Sequence, residues 1–267
     1  MRGAWTARLV SHRKGGNERD IGRRMRPEEY HKLADLEERM WFFRAYQRRF
    51  VRWFSRTLPR GPARLLDAGC GTGGTINALR QANREWTVDG LDYSPIACAL
   101  ARTRTAATIT EGSVTAMPVG SGAYDGIVSA DVVCQVDDPA LAVREFARCL
   151  RSGGVVQINA PAYMWLWSHH DRAVHSVRRF TRRELVGHCR GAGLEIVYAS
   201  YANSFLLPAA IVRRKLFPPR RPTSDVALLP APIETCFSAL AWLEFQWTAR
   251  GGRLPAGLSV FVVARKP

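Results

Sequence analysis

Residues 65–74, LLDAGCGTGG, constrain the fold more than any other stretch of this chain: an apolar run, one acid, then four glycines within six positions. An apolar run of this kind suits a buried parallel strand. Glycines at its carboxyl end let backbone approach a ligand where any Cβ would clash. A helix starting near Gly73 aims its first amides at that ligand. The segment predicts a strand, a ligand loop and a helix, the unit from which doubly wound α/β sheets are built.

Gly69, Gly71 and Gly74 also spell G-x-G-x-x-G, and Asp92 follows at about the spacing by which a dinucleotide fold holds a ribose. Two details weigh against a nicotinamide cofactor. Asp67 stands two residues before the first glycine, and none of the four lysines (Lys14, Lys32, Lys215, Lys266) completes a Tyr-x-x-x-Lys pair. Asp92 suits a ribose on chemical grounds, because an ionised carboxylate offers only acceptors and a ribose edge offers two donors.

Together with GLDYSPIACALAR over 90–102, the glycine segment resembles the first motif, second strand and following helix of class I S-adenosylmethionine-dependent methyltransferases. The resemblance implies S-adenosylmethionine as cofactor and S-adenosylhomocysteine as product. It implies Gly69 and Gly71 under the methionine half, Asp67 at its amino group, and Asp92 with neighbouring Tyr93 at the ribose. Cys70 would contribute backbone, its thiol idle. YDGIVSADVV, 124–133, looks like the family's fourth strand, whose end at Ala130 and Asp131 faces the methionine and the acceptor. EGSVTAMP looks like the segment that contacts adenine. Ser113 stands where the family commonly has an acid, which shifts the adenine amino contact to a hydroxyl or to backbone near Val114.

Two further stretches resemble one bacterial group of small-molecule methyltransferases. MWFFRAYQRR is similar to an HWWF-x-x-R-R stretch that packs over the cofactor as a lid, with Met40 for the usual His, Phe42 for a Trp and Tyr46 for an Arg. PAYMWLWSHHDRAVHSVRRFT, 161–181, is similar to an LWS-x-HD...H-x-RRYT signature, with Phe180 for Tyr. This loop follows the fifth strand at the sheet edge where ligands bind in such folds. His170 and His175 are candidate bases oriented by Asp171, and Arg178 and Arg179 candidate grips for an anionic acceptor group. His170, His175, Asp171 and Arg179 are thus the catalytic candidates. The alternative for Asp171 and an arginine is an ion pair that fixes the loop.

Patterning predicts a disordered basic tail over 1–26, a helical lid over 27–60 with one helix at 27–58, a cofactor-binding core over 61–201, a helical insertion over 202–256 and a terminal core strand over 257–267. Within the core, helices at 73–81, 94–103 and 139–150 alternate with strands at 87–91, 107–111 and 124–129, the rhythm of a doubly wound, mainly parallel sheet of seven strands with the last one reversed. Gly153 and Gly154 read as the stop of the third of these helices. Thr181 with Glu184 reads as a capping box. The insertion reads as two helices, 203–216 and 233–248. Phe237, Leu240, Trp242, Leu243 and Trp247 of the second are expected to pack on the sheet, with a homodimer or an apolar substrate as other ways to cover them.

The formal net charge is +16, almost all of it from arginine. Nucleic acid would explain that charge, yet no amino-methylation motif of the N-P-P-Y type and no RNA-binding appendage is present, so RNA methylation ranks second. A small-molecule or peptide acceptor, methylated on O or N in natural-product biosynthesis, ranks first. A catalytically silent cofactor-binding regulator is the third reading. The six cysteines form no C-x-x-C pair, so neither zinc nor a disulfide framework is indicated and a reducing cytoplasm is expected. No stretch has the roughly 20 apolar residues of a membrane span.

Overall fold

The apolar runs read as strands pair into one sheet in a computed structural model that describes residues 27–216 and 227–267. Its strands are β1 (Ala63–Ala68), β2 (Trp86–Asp92), β3 (Ile109–Glu111), β4 (Tyr124–Ala130), β5 (Leu150–Pro161), β6 (Glu195–Ala202) and β7 (Ser259–Arg265), in the order β3-β2-β1-β4-β5-β7-β6. Pairing is parallel from β3 through β5, and β7 runs antiparallel between β5 and β6. Because β1 lies between β2 and β4, successive connections leave it in opposite directions. Their divergence opens a crevice at the carboxyl ends of β1 and β4.

The helices are α1 (Pro27–Leu36), α2 (Trp41–Thr57), α3 (Gly74–Ala82), α4 (Pro95–Arg104), α5 (Pro139–Cys149), α6 (His169–Ala173), α7 (Arg182–Gly191), α8 (Leu207–Leu216) and α9 (Ala231–Ala249). One sheet face is covered by α5 and α7 through Val143, Phe146, Leu185 and Cys189. The other is covered by α2, α3 and α4, where Phe50, Trp53, Phe54, Ile76 and Leu79 are buried. Each large apolar side chain so buried contributes about 1.5–3 kcal/mol. Local signals act as expected at two helix starts. Ser94 caps α4 ahead of Pro95, and Thr181 and Glu184 form a reciprocal capping box on α7.

Three expectations are corrected. The single helix over 27–58 is two, α1 and α2, separated by a turn at 37–40. Glu37 is buried there, accepting from Thr72 Oγ1 at 2.5 Å and pairing with Arg104. A Cβ at Gly74 would strike the Glu37 carboxyl group, so the missing side chain at the α3 start makes room for that acid at a helix N-terminus. Gly153 and Gly154 do not close α5, which ends at Cys149. They lie within β5, in an irregular stretch between the Tyr124–Leu150 and Gly126–Val155 pairs, where Gly153 has φ +76° and a Cβ at Gly154 would meet backbone oxygens.

The third correction concerns α9. Phe237 and Leu240 pack against the core as expected, but Trp242, Leu243 and Trp247 face outward, 48 %, 53 % and 58 % exposed, while Ala241, Glu244, Thr248 and Ala249 face in. The interior beside α2 is already filled by that helix's aromatic rings, which leaves room mainly for small residues. Glu244 is retained inside because its carboxylate accepts the backbone amides of Asn203 and Ser204 at 2.5 and 2.6 Å. The expected tail over 1–26 and Pro218, Pro219, Pro222, Arg220 and Arg221 of the insertion lie outside the described residues.

Candidate active site

The crevice between β1 and β4 widens into a cavity of about 730 Å³. At its floor the chain leaves β1 at Asp67 and turns through glycines whose conformation is required. Gly69 has φ +90° and its amide donates to the Leu91 carbonyl at 2.7 Å, so a Cβ there would fall on the Val132 methyls. Gly71 has φ +52° and donates to Asp92 Oδ2 at 2.9 Å, while Ser94 N donates to Asp92 Oδ1 at 2.9 Å. The aspartate is held rigidly by backbone, with lone pairs left over on both oxygens.

All of the residues predicted from sequence as cofactor contacts line this one cavity: Asp67, Gly69, Cys70, Gly71, Asp92, Tyr93, Ser113, Val114 and Ala130. Ser113 Oγ lies 2.8 Å from Thr115 Oγ1, within the loop after β3. Burial pushes the Cys70 thiol far up, consistent with a backbone role alone.

The electrostatics of the floor ask for a cation. Burial raises the Asp67 carboxyl well above the usual carboxylate range, and the charges that reach it, Glu37 and Asp92, push it further the same way. Burial also raises Asp92 and Glu37, against hydrogen bonds that favour their ionised forms. Glu37 already has Arg104 beside it, but Asp67 and Asp92 share the pocket with no cation near them among the described residues and resist ionising together unless positive charge enters. The sulfonium and α-ammonium of S-adenosylmethionine would supply it, and Asp92 would take the ribose donors, so the residues present fit that group.

The acceptor-side candidates also reach the cavity: His170, Asp171, His175 and Arg179. Their chemistry differs between members. Asp171 and Arg179 are buried and joined twice, Nε to Oδ1 at 2.7 Å and NH2 to Oδ2 at 2.9 Å. Arg179 NH1 also donates to the Ala162 carbonyl, and Asp171 Oδ2 caps α6 by accepting Ser168 N at 2.8 Å. Arg178 donates to the Asp137 carbonyl. The two arginines are thus engaged by the protein itself, which departs from the expected grip on an anionic acceptor.

Asp131, just past the end of β4, lines the same cavity. Its φ is +57°, an uncommon conformation for a residue other than glycine, and Asn159 Nδ2 donates to its Oδ1 at 3.0 Å. Burial pushes its carboxyl up to about 6, against that hydrogen bond and the nearby Arg179 and Arg49 charges. Sequence placed Asp131 at the strand end, but its backbone conformation and raised affinity for a proton had no sequence signal. Glu37 was missed altogether, because its partners Thr72 and Arg104 lie 35 and 67 residues away.

Residues 66–158 match the methyltransferase domain family. The chain is 30% identical over 131 residues to a Mycobacterium tuberculosis protein of the S-adenosylmethionine-dependent methyltransferase class. That match covers 48% of this chain and 46% of the relative. Over this stretch the chain is thus similar to S-adenosylmethionine-dependent methyltransferase domains. The ubiquinone biosynthesis O-methyltransferase of Ralstonia nicotianae is 28% identical over 195 residues, covering 63% of this chain and 81% of that enzyme. Among solved structures, the methyltransferase bound to the Haloferax volcanii Trm112 methyltransferase activator shares the fold, with a TM-score of 0.59 at 19% identity over 90% of this chain and 94% of that one. The chain spans about half the length of the Mycobacterium relative it matches.

Beyond the glycine floor, one wall of the cavity is apolar. Leu33 and Met40 flank the turn between α1 and α2, Phe42 and Phe43 open α2, Leu206 and Ala210 come from the α8 region, and Ile233 and Phe237 from α9. Met40, Trp41, Phe42, Phe43 and Tyr46 of MWFFRAYQRR line the cavity, whereas Phe50 and Trp53, beyond that stretch on α2, are buried in the core on this face of the sheet.

Proposed function

We propose that this chain methylates an oxygen or nitrogen of a small, largely apolar acceptor, in a biosynthetic pathway for specialised metabolites. The observation that carries this reading is the continuity of one cavity from the acidic glycine floor to a wall of Leu33, Met40, Phe42, Leu206, Ile233 and Phe237. An apolar pocket with a few convergent polar groups selects a compact organic molecule over a polyanion. The ubiquinone relative's name fits an acceptor with an apolar body.

When bound, S-adenosylmethionine supplies an electrophilic methyl carbon, whose bond to sulfur breaks with both electrons going to sulfur. The chain's part is to hold and align. Asp67, Gly69 and Gly71 hold the methionine end and Asp92 the ribose, while Ser113, Val114 and Thr115 border the adenine side. The apolar wall presents the acceptor atom in line and excludes water. Asp131 takes the proton of a hydroxyl or ammonium acceptor, with His170 and His175 of the same cavity as relays. Asp171 and Arg179 hold the loop that carries those histidines.

The test is transfer of labelled methyl from S-adenosylmethionine into a cell extract separated into nucleic acid, protein, lipid and small-metabolite fractions. Label in small apolar metabolites is expected, and label confined to RNA would overturn this acceptor class. In calorimetry, Asp92→Ala should lose at least about 100-fold in S-adenosylhomocysteine affinity, two charge-assisted hydrogen bonds being worth roughly 3 kcal/mol or more. Unchanged affinity would remove Asp92 from the site.

A further inference from the structure

We propose that the helical insertion is a docking surface for an anionic lipid bilayer. Residues 232, 235, 236, 239, 242, 243 and 247 recur at helical spacing along α9 and form its outward face. Trp242, Leu243 and Trp247 stand on that face, each about half exposed. It carries no acid. Both acids of α9 turn inward instead, Glu234 accepting the Trp41 amide at 2.5 Å and Glu244 capping the chain at Asn203 and Ser204. At α8, Phe205, Pro208, Ala209 and Val212 form a second outward stripe at the same spacing, also without a charge.

The charge beside these stripes selects the occupant. Arg44, Arg48 and Arg52 recur every four residues along α2 and line a groove with Phe245 of α9 whose acid, Glu38, pairs with Arg104, and Arg250 and Arg253 are exposed just beyond α9. Arg44 and Arg48 lie close enough that Arg44, with burial, lowers Arg48's affinity for its proton. A second copy of a chain carrying +16 would bring a like-charged row against this one. An anionic bilayer instead offers phosphates to the arginines and an interfacial zone in which indole rings are favoured. Leu206, Ala210, Ile233 and Phe237 of the same insertion wall the cavity, so a docked insertion would admit an amphiphilic acceptor from the membrane side; that last step rests on the function proposed above, and the docking does not.

The decisive variant keeps the charge. Trp242→Gln/Leu243→Gln removes two outward groups and leaves Trp247, whose ring packs on Gly252. The full chain is sedimented with vesicles of phosphatidylcholine, alone or containing phosphatidylglycerol, and its oligomeric state is read by light scattering. Wild type should sediment with the anionic vesicles and shift its tryptophan emission to the blue. The double variant, with S-adenosylhomocysteine affinity retained as proof of folding, should bind those vesicles at least about tenfold more weakly. Equal binding of variant and wild type would reduce the attraction to charge alone and overturn the proposal. So would failure of wild type to bind, or a wild-type dimer that the double variant turns into a monomer. Because no turnover is measured, failure of the acceptor assignment leaves this result standing.

Discussion

Asp171→Ala is predicted to cost about 3–5 kcal/mol of folding stability, the range for removing one partner from a buried ion pair. The structure places it there. Asp171 and Arg179 side chains are 1 % and 3 % exposed, their two hydrogen bonds measure 2.7 and 2.9 Å, and the substitution leaves a guanidinium in the interior with only the Ala162 carbonyl to receive it. Loss of the Ser168 cap on α6 adds up to about 1 kcal/mol. Against a typical total of about 5–15 kcal/mol this is severe, and it should appear in urea denaturation followed by circular dichroism as a lower midpoint at constant slope. Removing both charges, as Asp171→Leu/Arg179→Met, should recover most of the loss, since apolar residues of similar volume often replace a buried pair without penalty. A single variant within about 1 kcal/mol of wild type, or a double variant no better than the single, would refute the assignment of this pair to loop support.

Gly69→Ala should destabilise by about 1–2 kcal/mol for its positive φ and a further 1–3 kcal/mol for overlap with Val132. Adding Val132→Ala should return only the second part, and additive losses in the denaturation cycle would show that the two residues do not meet. Asp131 gives a pH signature: its folded value of about 6 lies above the ordinary value near 3.9 in the unfolded chain, so the native state holds the proton more tightly between them. Stability should therefore fall as pH rises from about 4 to 6, and Asp131→Asn should flatten that part of the profile; identical profiles in urea titrations would discount the carboxyl. If Asp131 also accepts the acceptor's proton, turnover should rise through about pH 6 in wild type and lose that limb in the variant.

The glycine-turn half of the candidate site was legible in sequence because it is local. Strand, glycine turn, Asp92 and the Ser94–Pro95 helix start lie within about thirty residues, and each is set by backbone rules that a side-chain string displays directly. The pairing of Asp171 with an arginine was also readable as an alternative, since the partners are eight residues apart. Which arginine, and that the pair would be sealed from water, depended on Ala162 and Ser168 closing around it.

Long-range contacts decided the rest. Glu37 breaks the first helical stretch because Thr72 and Arg104 arrive beside it only after the sheet has formed. Asp131 acquires its strained backbone and raised proton affinity from the ends of β4 and β5 together. The α9 sequence is apolar on nearly every side, so periodicity carried no direction, and the aromatic filling of α2 turned its tryptophans outward. By itself the sequence determined the cofactor loop and the alternating sheet, through propensities and spacings within one β-α-β unit. The tertiary structure alone decided which acids share a pocket and which apolar face is left exposed, because both depend on what else occupies the space.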